Sequence, residues 1–182
     1  MNAAKPTQTT ANSKQPVKPG AQHLRGDDEA DDLTLELNSV FVGITRATSK
    51  GGDAFTSTFD LTPARVAVIS ALYRHPDTRL TVGEIATMLH VSSTNISRRL
   101  DGLERDGWVQ RDRNPDDGRS IYISLTPAGM HRAEQIMPAI FRRVHNVWSC
   151  YSEDEKQLLL DYLSRFLTHV QTSSLLRPPG GD

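Results

Sequence analysis

The chain has 182 residues, 37% of them hydrophobic and 24% charged, with a formal net charge of -1. No apolar run approaches the roughly 20 residues that span a bilayer, and residues 1–20 lack the apolar stretch and cleavage site of a secretory leader, so a cytoplasmic protein with no membrane partner is expected. The near-neutral charge excludes a protein that coats nucleic acid by charge alone; one cysteine, Cys150, excludes an internal disulfide, and six scattered histidines predict neither a metal site nor a cofactor.

Residues 1–30 carry almost no large apolar side chains and are expected to form a disordered tail, basic through Lys5, Lys14, Lys18 and Arg25. An acidic knot that includes Asp31 and Asp32 then suits the positive end of a helix starting near Leu33, where Leu33, Leu37, Val40, Phe41 and Ile44 recur at helical spacing. Thr62-Pro63 and Thr126-Pro127 each offer a hydroxyl cap followed by proline at the first helical position. Thr81-Val82-Gly83-Glu84 and Ser152-Glu153-Asp154-Glu155 read as capping boxes opening two more helices. The last helix carries Leu158, Leu159, Tyr162, Leu163, Phe166, Leu167 and Val170 on a broad apolar face suited to packing against a partner. Pro138 falls inside the helix that Thr126 opens and is expected to kink it, and residues 171–182 read as a second disordered tail.

Function concentrates in the middle of the chain. A short helix with Ile85, Ala86 and Leu89 inward breaks at His90-Val91 and is followed by a second helix capped by Ser92 or Ser93, which is the outline of a helix-turn-helix. In the second helix Ile96, Leu100 and Leu103 repeat on the inner face. Ser92, Ser93, Thr94, Asn95, Ser97, Arg98 and Arg99 fall at its start or on its outer face, where hydroxyls, amides and guanidinium groups reach phosphates and base edges of double-stranded DNA. Arg105 is expected to pair with Asp101 at helical spacing. Two alternating segments, residues 108–111 and 120–125, then read as a hairpin joined by Asn114-Pro115-Asp116-Asp117-Gly118. Such a wing, with Arg113 at its base and Arg119 on its flank, is expected to lay a guanidinium into a narrow minor groove, with Asp117 expected to hold Arg119 in a fixed fork.

The stretch ERDGWVQRDRNPDDGRSIYISLTPAG resembles the signature of MarR-family regulators, in which a recognition helix runs into a wing carrying Asp-x-Arg and then Leu-Thr-x-x-Gly. Here these are Asp117-Gly118-Arg119 and Leu125-Thr126-Pro127-Ala128-Gly129. The fold implied is mostly α with a small β-wing: a winged helix-turn-helix with flanking N- and C-terminal dimerisation helices. The DNA-binding lobe would span about residues 61–125 of a domain at 31–170, and the dimerisation helices about 33–49 and 127–170. The resemblance also makes Arg119 the minor-groove arginine and Asp117 its partner. It implies a ligand pocket between the dimer interface and the lobe, for which family geometry suggests Phe41, Arg46, Arg65 and Ile69. The protein expected is a homodimeric repressor on a palindromic operator near its own gene or a neighbouring operon, released by a small aromatic or phenolic acid. A dimer is also expected on physical grounds, because one recognition helix and one wing read a half-site, and a two-fold axis supplies the second half-site roughly 34–36 Å away.

Three other readings are weighed against this one. The helix and wing could bind protein instead of DNA, a reading that salt dependence and duplex preference distinguish. Asp116 and Asp117 as catalytic carboxylates lack a histidine, phosphate loop or metal ligand beside them, so a hydrolase or transferase is not expected. Cys150 invites a redox-responsive regulator, but the sensing cysteines of the family lie in the first helix, and Cys150 stands between Trp148 and Tyr151 near a helix end, which predicts a buried structural thiol.

Overall fold

The computed structural model describes residues 31–113 and 121–173. The elements run α1 (Asp32–Thr56), a single 3-10 turn (Ser57–Phe59), α2 (Pro63–Tyr73), β1 (Leu80–Thr81), α3 (Val82–Met88), α4 (Ser93–Arg105), β2 (Val109–Arg113), β3 (Ile121–Leu125), α5 (Pro127–Val147) and α6 (Glu153–Thr172). This is a mostly helical chain with one small antiparallel sheet, the winged-helix pattern expected. No described helix is long and apolar enough to cross a membrane.

The chain divides into two units, Met1–Ala47 and Thr48–Asp182. What is described of the first is the opening of α1, where the Asp31 carboxylate accepts the Thr34 amide at 2.7 Å and meets the positive helix end. Leu33, Leu37, Val40, Phe41 and Ile44 are all exposed.

The second unit holds everything else. Its helix starts follow the local signals: Thr62 caps α2 with Pro63 at the first position, Thr126 caps α5 with Pro127 there, and Thr81 and Ser152 form complete capping boxes on α3 and α6. Two features differ from expectation. α1 continues past residue 49 to Thr56, through Gly51 and Gly52. A glycine pair reads as a helix stop, but these two lie where the helix passes close to neighbours: a Cβ on Gly51 would meet the Arg143 guanidinium at 2.8 Å, and the turn beyond buries Thr56 and half-buries Phe55. β1 is new; its two residues pair with β3 in the order β1-β3-β2, Leu80 opposite Ile123 and Thr81 opposite Tyr122. α5 runs unbroken through Pro138.

The core lies between α2, α3, α4, α5 and the inner face of the sheet. Val68, Ile69, Ile85, Ile96, Leu100, Leu103, Ile123 and Met137 are wholly removed from water, and each such side chain contributes about 1.5–3 kcal/mol. α4 therefore presents a continuous apolar stripe inward, Ile96, Leu100 and Leu103.

At the end of α4 the chain reverses through Gly107, whose φ of +69° suits glycine. Here the Leu-Thr-x-x-Gly run acquires a physical meaning. The Thr126 amide donates to the Trp108 carbonyl at 3.1 Å, its hydroxyl donates to the Gly107 carbonyl at 2.8 Å, and the same hydroxyl accepts the Gly129 amide at 2.8 Å. Gly129 packs so closely on this junction that a Cβ there would lie 2.0 Å from the Trp108 carbonyl oxygen. The obstacle is backbone and cannot rotate away, so Gly129→Ala is expected to cost about 3 kcal/mol, the upper end for overpacking. Thermal melting followed by circular dichroism should show a fall of about 6–12 °C.

Candidate nucleic-acid interface

Helix α3 ends where Leu89, His90 and Val91 donate their amides to the carbonyls of Ile85, Thr87 and Ala86. His90 takes the left-handed conformation, φ 53°, that turns the chain out of one helix and toward the next. Ser92 is then extended, and its hydroxyl accepts the Asn95 amide at 3.3 Å, so of the two serines offered by the sequence Ser92 is the cap. This leaves Ser93 and Thr94 exposed on the first turn of α4, at its positive end. Asn95 and Ser97 are half-buried; Asn95 accepts from the Arg98 guanidinium at 3.3 Å and steers that exposed side chain toward the helix start, while Arg99 is half-buried. The structure thus brings Ser92, Ser93, Thr94, Asn95 and Arg98 together at one helix end.

Three arginines hold the other end of α4. From α2, an Arg65 Nη2 group donates to the Gly102 carbonyl at 3.1 Å and to the Asp106 carboxylate. From α5, Arg132 donates to the carbonyls of Asp106 and Gly107 at 3.1 and 2.8 Å and lies 4.1 Å above the Trp108 ring. From β2, Arg111 reaches Asp101 at 2.7 Å and Glu104 at 3.1 Å. The last contact corrects the expected Asp101–Arg105 pair: Asp101 is taken by the strand, and Arg105, its side chain 80% exposed, comes among the described residues no nearer to a carboxylate than 3.8 Å, at Asp106. Arg111 was absent from the residues singled out by sequence. The signal available was its spacing of two from buried Val109, which puts both on the inward face of β2.

β2 and β3 pair along their length, closing with Arg113 opposite Ile121. Arg113 is exposed at the base of the wing. Asp116, Asp117 and Arg119 lie outside the described residues. Of the residues suggested for an effector, Phe41 and Arg46 belong to the first unit, and Phe41 is exposed. Ile69 is wholly buried in the core of the second, and Arg65 is engaged at Gly102 and Asp106, with its Nε buried and without a partner. Cys150 is exposed in the single chain, against the expectation of a buried thiol; Trp148 and Tyr151 beside it are exposed as well and do not cover it. Among the described residues no group of three or more His, Cys, Asp or Glu side chains converges as a metal site would need.

A family model described as MarR family matches residues 59–120, the stretch from the end of the 3-10 turn into the wing. The transcriptional repressor YetL of Bacillus subtilis is 30% identical over 142 residues, which cover 78% of this chain and 85% of that protein. The chain belongs to the MarR family. The transcriptional repressor MprA of Escherichia coli is 30% identical over a shorter span, 48% of this chain and 49% of that protein. Among solved structures, the DNA complex of Staphylococcus aureus MepR superposes with a TM-score of 0.64 at 25% identity, over 74% of this chain and 97% of that one. As a MarR-family member the protein is a DNA-binding transcriptional regulator and not an enzyme.

Two consequences are measurable. Ser92→Ala removes the cap of α4 and should cost about 1 kcal/mol by denaturant titration. The Arg65 guanidinium holds the Asp106 carboxyl below its ordinary value, with smaller contributions from Arg105 and Arg132. A carboxylate lowered in this way adds stability above its unfolded pKa and loses it as pH falls through the lowered folded value. Melting of the wild type should therefore drop relative to Asp106→Asn as pH is taken from neutrality to below about 4, and the two curves should converge there.

Proposed function

We propose that the protein is a homodimeric repressor that binds a palindromic operator through the start of α4 and the wing, and that a small aromatic or phenolic acid releases it. The observation that carries the DNA reading is the exposed first turn of α4, with Ser93, Thr94 and Arg98 at a positive helix end whose inner face and far end are fixed. In this reading Ser92, Ser93, Thr94, Asn95, Ser97, Arg98 and Arg99 meet the major groove. Arg113 meets the backbone, and Arg119, oriented by Asp117, enters the minor groove. Repression is supported by YetL and MprA, both named transcriptional repressors, and operator binding by MepR, solved with DNA. A cytoplasmic location belongs to the same proposal.

A dimer is supported by apolar surface that one chain leaves in water. On α6 Leu158 and Leu160 are 53% and 57% exposed, with Tyr162, Leu163 and Phe166 also open, and on α5 Phe141, Val144 and Val147 are too. Exposed apolar area on this scale is uncommon in a monomer. The effector is the family expectation, with Phe41, Arg46, Arg65 and Ile69 as the residues that the resemblance suggests for it. The second unit offers the matching chemistry in a cleft of about 460 Å³ lined by Phe55, Ala139, Arg142, Arg143, Asn146 and Val147, where Arg143 stands 4.9 Å above the Phe55 ring. A guanidinium beside an aromatic face suits an aromatic carboxylate.

Fluorescence anisotropy with the DNA upstream of its own gene tests the reading. Wild type should prefer that duplex to a scrambled one. Arg119→Ala and Arg98→Ala should each weaken specific binding by about 1–3 kcal/mol where they touch bases, and Arg113→Ala should reduce the log-log salt slope by about 0.9 for one lost phosphate contact. Aromatic acids titrated into the complex should release the DNA; a complex indifferent to all of them removes the effector from the proposal and leaves the DNA reading intact.

A further inference from the structure

We infer that Arg111 is a positioning residue for operator recognition: by gripping two carboxylates of α4 from the first strand of the wing, it sets where the helix and the wing stand relative to each other. The inference rests on the DNA-binding reading of α4.

The geometry is that of a fork. Arg111 Nη2 lies 2.7 Å from Asp101 Oδ1 and Nη1 lies 3.1 Å from Glu104 Oε2, while Nη2 also approaches the Ser97 carbonyl at 3.5 Å. Asp101 and Glu104 are three residues apart and so share one face of the helix. A planar guanidinium spans both at once, and an ammonium, a point charge, does not hold the same two-pronged geometry. Along β2, Arg111 and Arg113 share a face two residues apart, about 7 Å. Fixing the first against α4 therefore fixes the origin of the second, which is exposed where the wing begins.

Neither stability nor charge alone explains this arrangement. The carboxylates are exposed partners, their side chains 64% and 41% accessible, and ion pairs of that kind contribute little to folding. Two negative charges on a helix that approaches a polyanion oppose binding unless they do something else there. Asp101 also has Arg105 four residues along its own helix, a local partner that would leave the wing untouched, yet it is the strand residue that takes it.

The test uses the full chain and a duplex that the wild type enriches from a random-sequence library, with affinity read by anisotropy in a salt series. Neutralising both carboxylates, Asp101→Asn with Glu104→Gln, should weaken specific binding about tenfold although it removes negative charge, the size expected for members of one coupled network. Arg111→Gln should do the same with the wild-type salt slope kept, since no phosphate contact is lost. Arg111→Lys should fall between. The charge exchange Asp101→Arg with Arg111→Asp should recover part of the loss. Tighter binding by the neutralised variant would overturn the inference, as would a slope reduced by about 0.9 in Arg111→Gln, the mark of a direct phosphate contact. Melting curves recorded beside the titrations guard against loss of fold: a weakening matched by the unfolded fraction would also overturn it. If the wild type enriches no duplex, the DNA reading falls and the role of Arg111 with it; enrichment with unaffected variants removes the role of Arg111 alone.

Discussion

Helix α4 is held where it is by cations that converge on its C-terminal half from three other elements. A helix ends in unpaired carbonyls that carry a partial negative charge. Here Arg65 from α2 takes the Gly102 carbonyl, Arg132 from α5 takes those of Asp106 and Gly107, and Arg111 from β2 takes the side chains of Asp101 and Glu104. The inner face of the same helix is sealed by Ile96, Leu100 and Leu103 in the core. With one face buried and one end bound, the first turn and outer face remain for a partner, and the hydroxyls and amides suited to DNA stand there.

The junction after α4 depends on this arrangement and reinforces it. Gly107 turns the chain, Trp108 enters the sheet beneath the Arg132 guanidinium, and Thr126, where β3 gives way to α5, returns to bond the backbone of both. Recognition helix, wing and fifth helix meet within a few residues at Gly107, Trp108, Thr126 and Gly129.

What was legible in the sequence was what is decided within about four residues. The caps at Thr62, Thr81, Thr126 and Ser152 depend on a hydroxyl, a carboxylate or a proline at a fixed offset, the break at His90 on a short left-handed turn, and each stands where the pattern placed it. The misses share the opposite cause. β1 is two residues long and exists because Leu80 and Thr81 meet Ile123 and Tyr122 far along the chain. The run of α1 through Gly51 and Gly52 brings the helix against residues distant in sequence, Arg143 on α5 and Pro63 on α2. The choice of Arg111 over Arg105 as the partner of Asp101 needs the wing folded back on the helix. Of the site, the cluster at the start of α4 was visible because it is local, and the fixtures at its other end were hidden because they are not.

The residues available to DNA make little use of the rest of the fold. Ser93 and Thr94 are exposed, and Arg98 leans on Asn95 of its own helix, whereas Arg65, Arg111, Arg132 and Gly129 are committed to neighbouring elements. Apart from Ser92, which also caps the helix, the side chains offered to DNA in the proposed reading and those that fix α4 are thus largely different ones. If the first turn of α4 reads the operator as proposed, a lineage carrying this fold is free to drift toward a new target by altering Ser93, Thr94 and Arg98 while Arg65, Arg111, Arg132 and Gly129 stay unchanged, so divergence of target sequence need not pass through a misfolded intermediate.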